Sequence, residues 1–198
     1  MTARGIAAVV LAAGASTRLG QAKQLIRLGN ESLLRRTARL ALEAGCAPLF
    51  VVLGFEAERM RAELTGLDAT PVVSEGWAEG MGSSLRRGME AVCGMKDQPA
   101  GALVLVCDQP KVTLEHLRRL LAEQDGREAR ITASEYAGRL GVPAVFGRGF
   151  FAELLEMEGD RGAREVIRRH SASVNIVPCP EGEADVDRLE DLERLQGT

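Results

Sequence analysis

The chain is poor in aromatics, at 4% of 198 residues with one Trp and one Tyr, so it has no ladder of rings on which nucleic-acid bases could stack. Its net charge is −3 and no basic stripe interrupts the pattern, which removes the electrostatic footprint of a polyanion-binding protein. Paired metal-ligand spacing is also missing. The four cysteines, Cys46, Cys93, Cys107 and Cys179, are scattered, and reduced, mostly buried thiols are expected. The first apolar run stops at Ala13, too short to cross a bilayer and without the architecture of a signal peptide, so a cytoplasmic protein is expected. Neither common phosphate loop occurs, since there is no GxxxxGK[ST] and no GxGxxG followed by a ribose-binding acid. No Ser/Pro linker or internal repeat divides the sequence, and residues 1–198 read as one domain.

What is present is an alternation of strand-length apolar runs with amphipathic stretches. Strands are expected at 7–12, 49–53, 71–74 and 103–107, separated by helices at 32–44, 56–65 and 83–92. Beyond Asp108 the regularity changes, to a helix at 113–124, strands at 131–136 and 144–146, helices at 150–155 and 161–170, a strand at 174–177 and a last helix at 188–195. The pattern predicts an α/β fold with three layers, a mostly parallel, doubly wound, Rossmann-like sheet covered by helices on both faces. A nucleotide-binding half would span about 1–112 and a second half about 113–198. In such sheets ligands sit beyond the carboxyl ends of the strands.

Three motifs fall at those ends. The first, VVLAAGASTRLGQAK, runs a strand into a loop with Gly14, Ser16, Arg18, Gly20 and Lys23. Glycine lets the main chain approach an anion, and two cations counter charge that amide dipoles leave under-neutralised, which is equipment for a polyphosphate. An ordinary βα turn is the plainer reading. The second is GMGSSL, in which Ser83 or Ser84 is a candidate helix N-cap beside exposed first-turn amides. The third, VLVCDQP, delivers Asp108 at the end of an apolar strand, where one carboxylate suits Mg²⁺ or simply starts a turn before Pro110. A second acid could come from the segment 183–187, where Asp185 and Asp187 share one side if extended, or Asp187 caps the last helix. His116 and His170 lack an evident partner and read as surface residues, and Trp77 either packs or lines a pocket.

Together, in this order, the motifs resemble the nucleotidyltransferases that build molybdenum cofactor dinucleotides, particularly the cytidylyltransferases and their accessory relatives. LAAGASTRLGQAK is similar to LAAGxSxRxGxxK, GMGSSLRRG to GMxxSLxxG, and VCDQP to CDQP, while GDRGAREVI resembles GDxGAR and ADVDRLEDL resembles DIDTPEDL with Arg188-Leu189 in place of Thr-Pro. The resemblance implies a fold of the nucleotide-diphospho-sugar transferase type. Leu11, Ala12, Ala13 and Gly14 would flank the nucleobase, with Ser16, Arg18 and Lys23 on the triphosphate and Gly82, Ser83 and Ser84 near base and ribose. Arg18, Lys23 and Asp108 would carry catalysis, Asp108 and Asp187 would hold Mg²⁺, and Gly141, Pro143 and Arg164 would touch the acceptor. Relatives that use guanosine nucleotides tend to open with LAGG, whereas Ala13 stands at the third position here, which favours CTP. The implied reaction transfers CMP to molybdopterin, and a molybdoenzyme such as a xanthine dehydrogenase family protein is a possible client. GTP, a sugar or polyol phosphate acceptor, and a non-catalytic accessory role stay open.

Overall fold

The computed structural model describes residues 5–16, 20–124, 128–183 and 191. Their centre is a seven-stranded sheet. Strand β1 (Ile6–Ala12) is buried at every position, as are all but the end of β6 (Gly101–Val106) and the whole of β4 (Leu49–Leu53). Runs that are apolar on both faces can form only where helices cover both sides, which is why these strands lie at the centre. Strand β5 (Ala69–Val73) pairs parallel with β4, and β1 pairs parallel with β4 on one side and β6 on the other. The chain therefore winds outward from β1 through β4 to β5, then returns to the opposite side of β1 at β6. That reversal opens a crevice beyond the carboxyl ends of β1 and β6.

A short hairpin, β2 (Arg27–Leu28) with β3 (Glu31–Ser32), follows the first loop and was not foreseen from the sequence. Helix α1 (Leu33–Glu43) begins where the Ser32 side chain accepts from Arg35 N–H, a standard N-cap. Helices α1, α2 (Ala57–Glu63) and α4 (Leu114–Gln124) pack on one face of the sheet around Val10, Leu53 and Leu117. On the other face α3 (Met81–Cys93) packs with α5 (Phe151–Leu155) and α6 (Ala163–Arg169) around Val9, Phe146 and Val166. Gly88 lets α3 lie close to the sheet, since a Cβ there would meet Val9 Cγ1 at 2.5 Å.

The sheet continues through β8 (Arg139–Gly147) and β7 (Ile131–Tyr136) to β9 (Val174–Pro178), in the order β5-β4-β1-β6-β8-β7-β9. Strand β8 runs antiparallel to both neighbours, and β9 pairs parallel with β7. β8 is longer than the expected 144–146, because Ala137 (φ 49°) and Gly138 (φ 68°) close a tight turn that lets pairing with β7 continue to Arg139. The expected last helix, 188–195, lies outside the described residues.

Two expectations are corrected. Neither Ser83 nor Ser84 is an N-cap, because α3 starts earlier, at Met81 behind Gly80, and both serines are buried within its first turns. The two glycines of GMGSSL serve a different contact. Gly82 N–H donates to Gly159 C=O at 2.7 Å, a Cβ on Gly82 would lie 2.6 Å from the Arg161 carbonyl, and one on Gly80 would collide with the backbone of Gly159. This seam joins the two halves backbone to backbone. His116 is not a surface residue either, being 6% exposed. Its Nε2 lies 2.7 Å from Ser134 Oγ, which donates to the Pro143 carbonyl at 2.6 Å. With the Ser134 proton committed, Nε2 carries the donating hydrogen. Burial holds the imidazole down to about 4, with Arg119 adding to the effect. His170 sits against Glu153 at 2.8 Å.

Candidate active site

Residues 13–16 leave the end of β1 as a turn, in which Ala13 C=O accepts from Phe55 N–H at 3.0 Å and Ser16 takes a left-handed φ of 53°. Ser16 Oγ then accepts from Lys23 N–H at 3.2 Å, so the loop folds back on the single 3₁₀ turn Lys23–Leu25. From there the Lys23 side chain reaches across the crevice. Its Nζ lies 2.5 Å from Asp108 Oδ2, and both side chains are about one-fifth exposed, at 19% and 20%. Asp108 lies two residues past the end of β6, so the neighbouring strands β1 and β6 set this ion pair at the switch point.

The pair opens onto a cavity of about 510 Å³ walled by residues 11–16, Trp77, Ala78, Met81, Ser84 and Asp160. Trp77 both packs and lines the cavity. Its ring meets Phe55 edge-on at 5.7 Å, and a Cβ on Gly54 would lie 2.6 Å from both Trp77 Cβ and the Ala13 carbonyl. Only glycine at position 54 lets the indole press against the loop. Cys107, beside Asp108, has its thiol pushed up to about 12 by burial and then by the Asp108 charge, so it stays protonated and is no nucleophile. Burial likewise pushes Cys46 up to about 12, and all four cysteines are free thiols.

A second cavity, of about 470 Å³, adjoins the first at Asp160 and is edged by Arg161, Arg164 and Arg168 beside Leu140. Arg168 is held by Glu165 through bonds of 2.9 and 2.8 Å. Arg161 and Arg164 add positive charge to the same rim.

The structure thus brings Leu11, Ala12, Ala13, Gly14, Ser16, Lys23, Ser84 and Asp108 around one cavity. Gly82 and Ser83 lie behind its wall, Gly82 on the seam and Ser83 with its Oγ against Gly76. Arg164 lines the second cavity, but Gly141 and Pro143 line neither large one. A Cβ on Gly141 would collide with the Tyr136 hydroxyl, and the Pro143 carbonyl is engaged by Ser134. Arg18 and Asp187 lie outside the described residues. Gln24 was missed from the sequence, because a lone amide carries no spacing signal; Asp160 and Arg161 lie in the GDRGAR segment, of which Arg164 alone was assigned to the site.

The donor set of the site suits a divalent cation through a single carboxylate. Among the described residues no cluster of three or more His, Cys, Asp or Glu could hold a metal by itself. Asp108 offers one hard-oxygen carboxylate facing the cavity. Mg²⁺ is ordinarily bound by one or two carboxylates with substrate phosphates and water completing its shell, so a single aspartate fits.

A family model described as MobA-like NTP transferase domain matches residues 8–174. Nicotine blue oxidoreductase of Paenarthrobacter nicotinovorans is 32% identical, over 96% of this chain and 96% of its own length. A probable molybdenum cofactor guanylyltransferase of Trichormus variabilis is 29% identical, over 97% of this chain and 91% of its own. Among solved structures, Rv0371c of Mycobacterium tuberculosis H37Rv superposes with a TM-score of 0.82 at 32% identity, covering 100% of both chains. Rv0371c has also been solved in complex with manganese, with a TM-score of 0.79, 30% identity and coverage of 98% of this chain and 99% of that one. The architecture is that of the nucleotide-diphospho-sugar transferases.

Proposed function

The chain belongs to the MobA-like NTP transferase family and is a nucleotidyltransferase; from that premise we propose that it transfers CMP from CTP to the terminal phosphate of molybdopterin, giving molybdopterin cytosine dinucleotide and pyrophosphate. The observation that carries the reading is the Lys23–Asp108 pair at the mouth of a cavity floored by the first loop. Paired across the crevice, each charge neutralises the other. With nucleotide bound, Lys23 would turn to the triphosphate and Asp108 would be free to hold the cation, with Arg18 and Asp187 as the further members the family motif implies. Mg²⁺ would supply charge neutralisation of the phosphates at Asp108.

An oxygen of the acceptor phosphate attacks the α-phosphorus of CTP. A new P–O–P bond forms, the α–β bond breaks, and pyrophosphate leaves with the bonding electron pair. The attacking phosphate is already anionic and needs no general base. The protein's task is to hold two anions in line and screen their repulsion, which Lys23, the amides of residues 13–16 and the Arg161–Arg164 rim are suited to do. The contiguity of the two cavities at Asp160 supports one compartment for nucleotide and one for acceptor.

The methyl of Ala13 and the indole of Trp77 narrow the wall of the first cavity, which favours a pyrimidine. GTP is the rival, because several relatives are named guanylyltransferases. The name of the P. nicotinovorans relative denotes a different chemistry, so NAD(P)H belongs in the same panel. Purified protein with Mg²⁺, molybdopterin and CTP, GTP, UTP or ATP should release pyrophosphate fastest with CTP and yield the cytosine dinucleotide by mass spectrometry. Selective use of GTP, or turnover only as a reductase with NAD(P)H, would reject it.

A further inference from the structure

We infer that Gln24 is a positioning residue that sets the direction of the amides in the nucleotide loop. The inference rests on the nucleotidyltransferase reading of the first cavity. Gln24 is 1% exposed, the deepest polar side chain beside that cavity. All of its amide is used on the loop. Nε2 donates to the Ala12 carbonyl at 3.1 Å and to the Gly14 carbonyl at 2.6 Å, and Oε1 accepts from Ser16 Oγ at 3.4 Å. Ser16 Oγ in turn accepts from Lys23 N–H at 3.2 Å, so one amide couples the loop to the start of the turn that carries the Lys23 ammonium.

The consequence follows from peptide geometry. A trans peptide unit is planar, with its C=O and N–H pointing opposite ways. Drawing the carbonyls of Ala12 and Gly14 onto Gln24 sends the N–H groups of Ala13 and Ala15 away from it. The negative ends of these two peptide dipoles are thereby spent on a buried donor and kept from a bound anion, leaving the positive ends to face it. Ala12 is also held in the β1–β4 ladder, but without the Gln24 donor the Gly14 carbonyl can rotate toward the cavity and present a partial negative charge to a phosphate. Gln24 touches no reacting atom in this account and acts through the loop.

The test uses Gln24→Met, which keeps length and volume but has no donor, and Gln24→Glu, which keeps an acceptor and gives the same reading if the methionine protein does not fold. Peptide-level hydrogen exchange of the ligand-free protein should quicken at least tenfold at residues 13–16 and stay unchanged through β1. Titration with CTP and Mg²⁺ should show affinity falling at least tenfold, and steady-state assays should show KM for the nucleotide rising with KM for the acceptor unmoved. Exchange and affinity within twofold of wild type, while Lys23→Ala weakens binding, would overturn the role of Gln24 and leave the nucleotide site standing. Failure of the wild-type protein to bind any nucleoside triphosphate would overturn the reading of the cavity and this inference together.

Discussion

The two halves of the molecule build their cavities by different means. In the first, buried parallel strands end abruptly and the residues that follow them, 13–16 after β1 and Asp108 after β6, project straight into the crevice. In the second, the strands are mixed in direction, and the cavity is rimmed by the loop 160–162 and the outer face of α6. A site at strand ends is fixed by the sheet itself. One on a loop depends on what the loop packs against, and here that is the Gly80–Gly82 seam. The first half is therefore fixed by the sheet, and the second half is aligned to it by backbone contact.

The largest effect should fall on the strand-end site. Asp108→Ala is expected to lower kcat by at least about 10²–10³-fold, comparable with removal of one preorganised stabiliser, while the melting temperature stays close to wild type. Chelation of divalent cations should abolish turnover in the wild-type protein to a similar degree. Retention of most activity in either case would remove the carboxylate from the mechanism and erase the contrast between the halves.

The His116–Ser134–Pro143 chain ties α4 to β7 and β8 within the second half through buried polar groups, and acid should break it. The folded-state pKa of about 4 lies below the ordinary value of 6.5, so the unfolded chain binds the proton more tightly. The stability that neutral His116 preserves is complete above pH 6.5 and is lost as pH falls from there toward 4, by about 3 kcal/mol in all. Denaturant melts across that range should follow this slope, and His116→Leu should flatten it.

Gly82→Ala probes the seam directly. Its Cβ would press on the backbone at 158–161, and overpacking of this kind costs about 1–3 kcal/mol. The melting temperature should drop by several degrees, and KM should rise for the acceptor more than for the nucleotide. An equal rise in both would mean that the seam does not align the second half. The smallest effect is expected for Arg164→Ala, about tenfold in acceptor KM from one lost charge-assisted contact, with nucleotide KM unchanged.

The same contrast explains what could be read from the sequence. The strands ending at Ala12, Leu53 and Val106 were legible because fully apolar runs of that length have one stable home; Gly14 and Asp108 were legible because each stands just past such a run, and Lys23 because it closes the cationic glycine loop that follows β1. Gly141 and Pro143 were assigned to the acceptor by the resemblance alone, and their surroundings are the Tyr136 ring and the Ser134 hydroxyl rather than a large cavity. The serines of GMGSSL looked like caps because local propensity favours them there. Tertiary packing of Gly80 and Gly82 against Gly159 moved the helix start ahead of them. Gln24 and His116 are single polar residues whose partners are distant or irregular in sequence, and no periodicity announces them.

The central claim is that Asp108 and Lys23, which pair across the crevice, part to serve a cation and a triphosphate. Calorimetric titration of CTP with and without Mg²⁺, into wild type and Asp108→Asn, tests it most directly. The account predicts tight binding by wild type only with Mg²⁺, and binding by the variant that no longer responds to Mg²⁺. The same Mg²⁺ dependence in both proteins would contradict it.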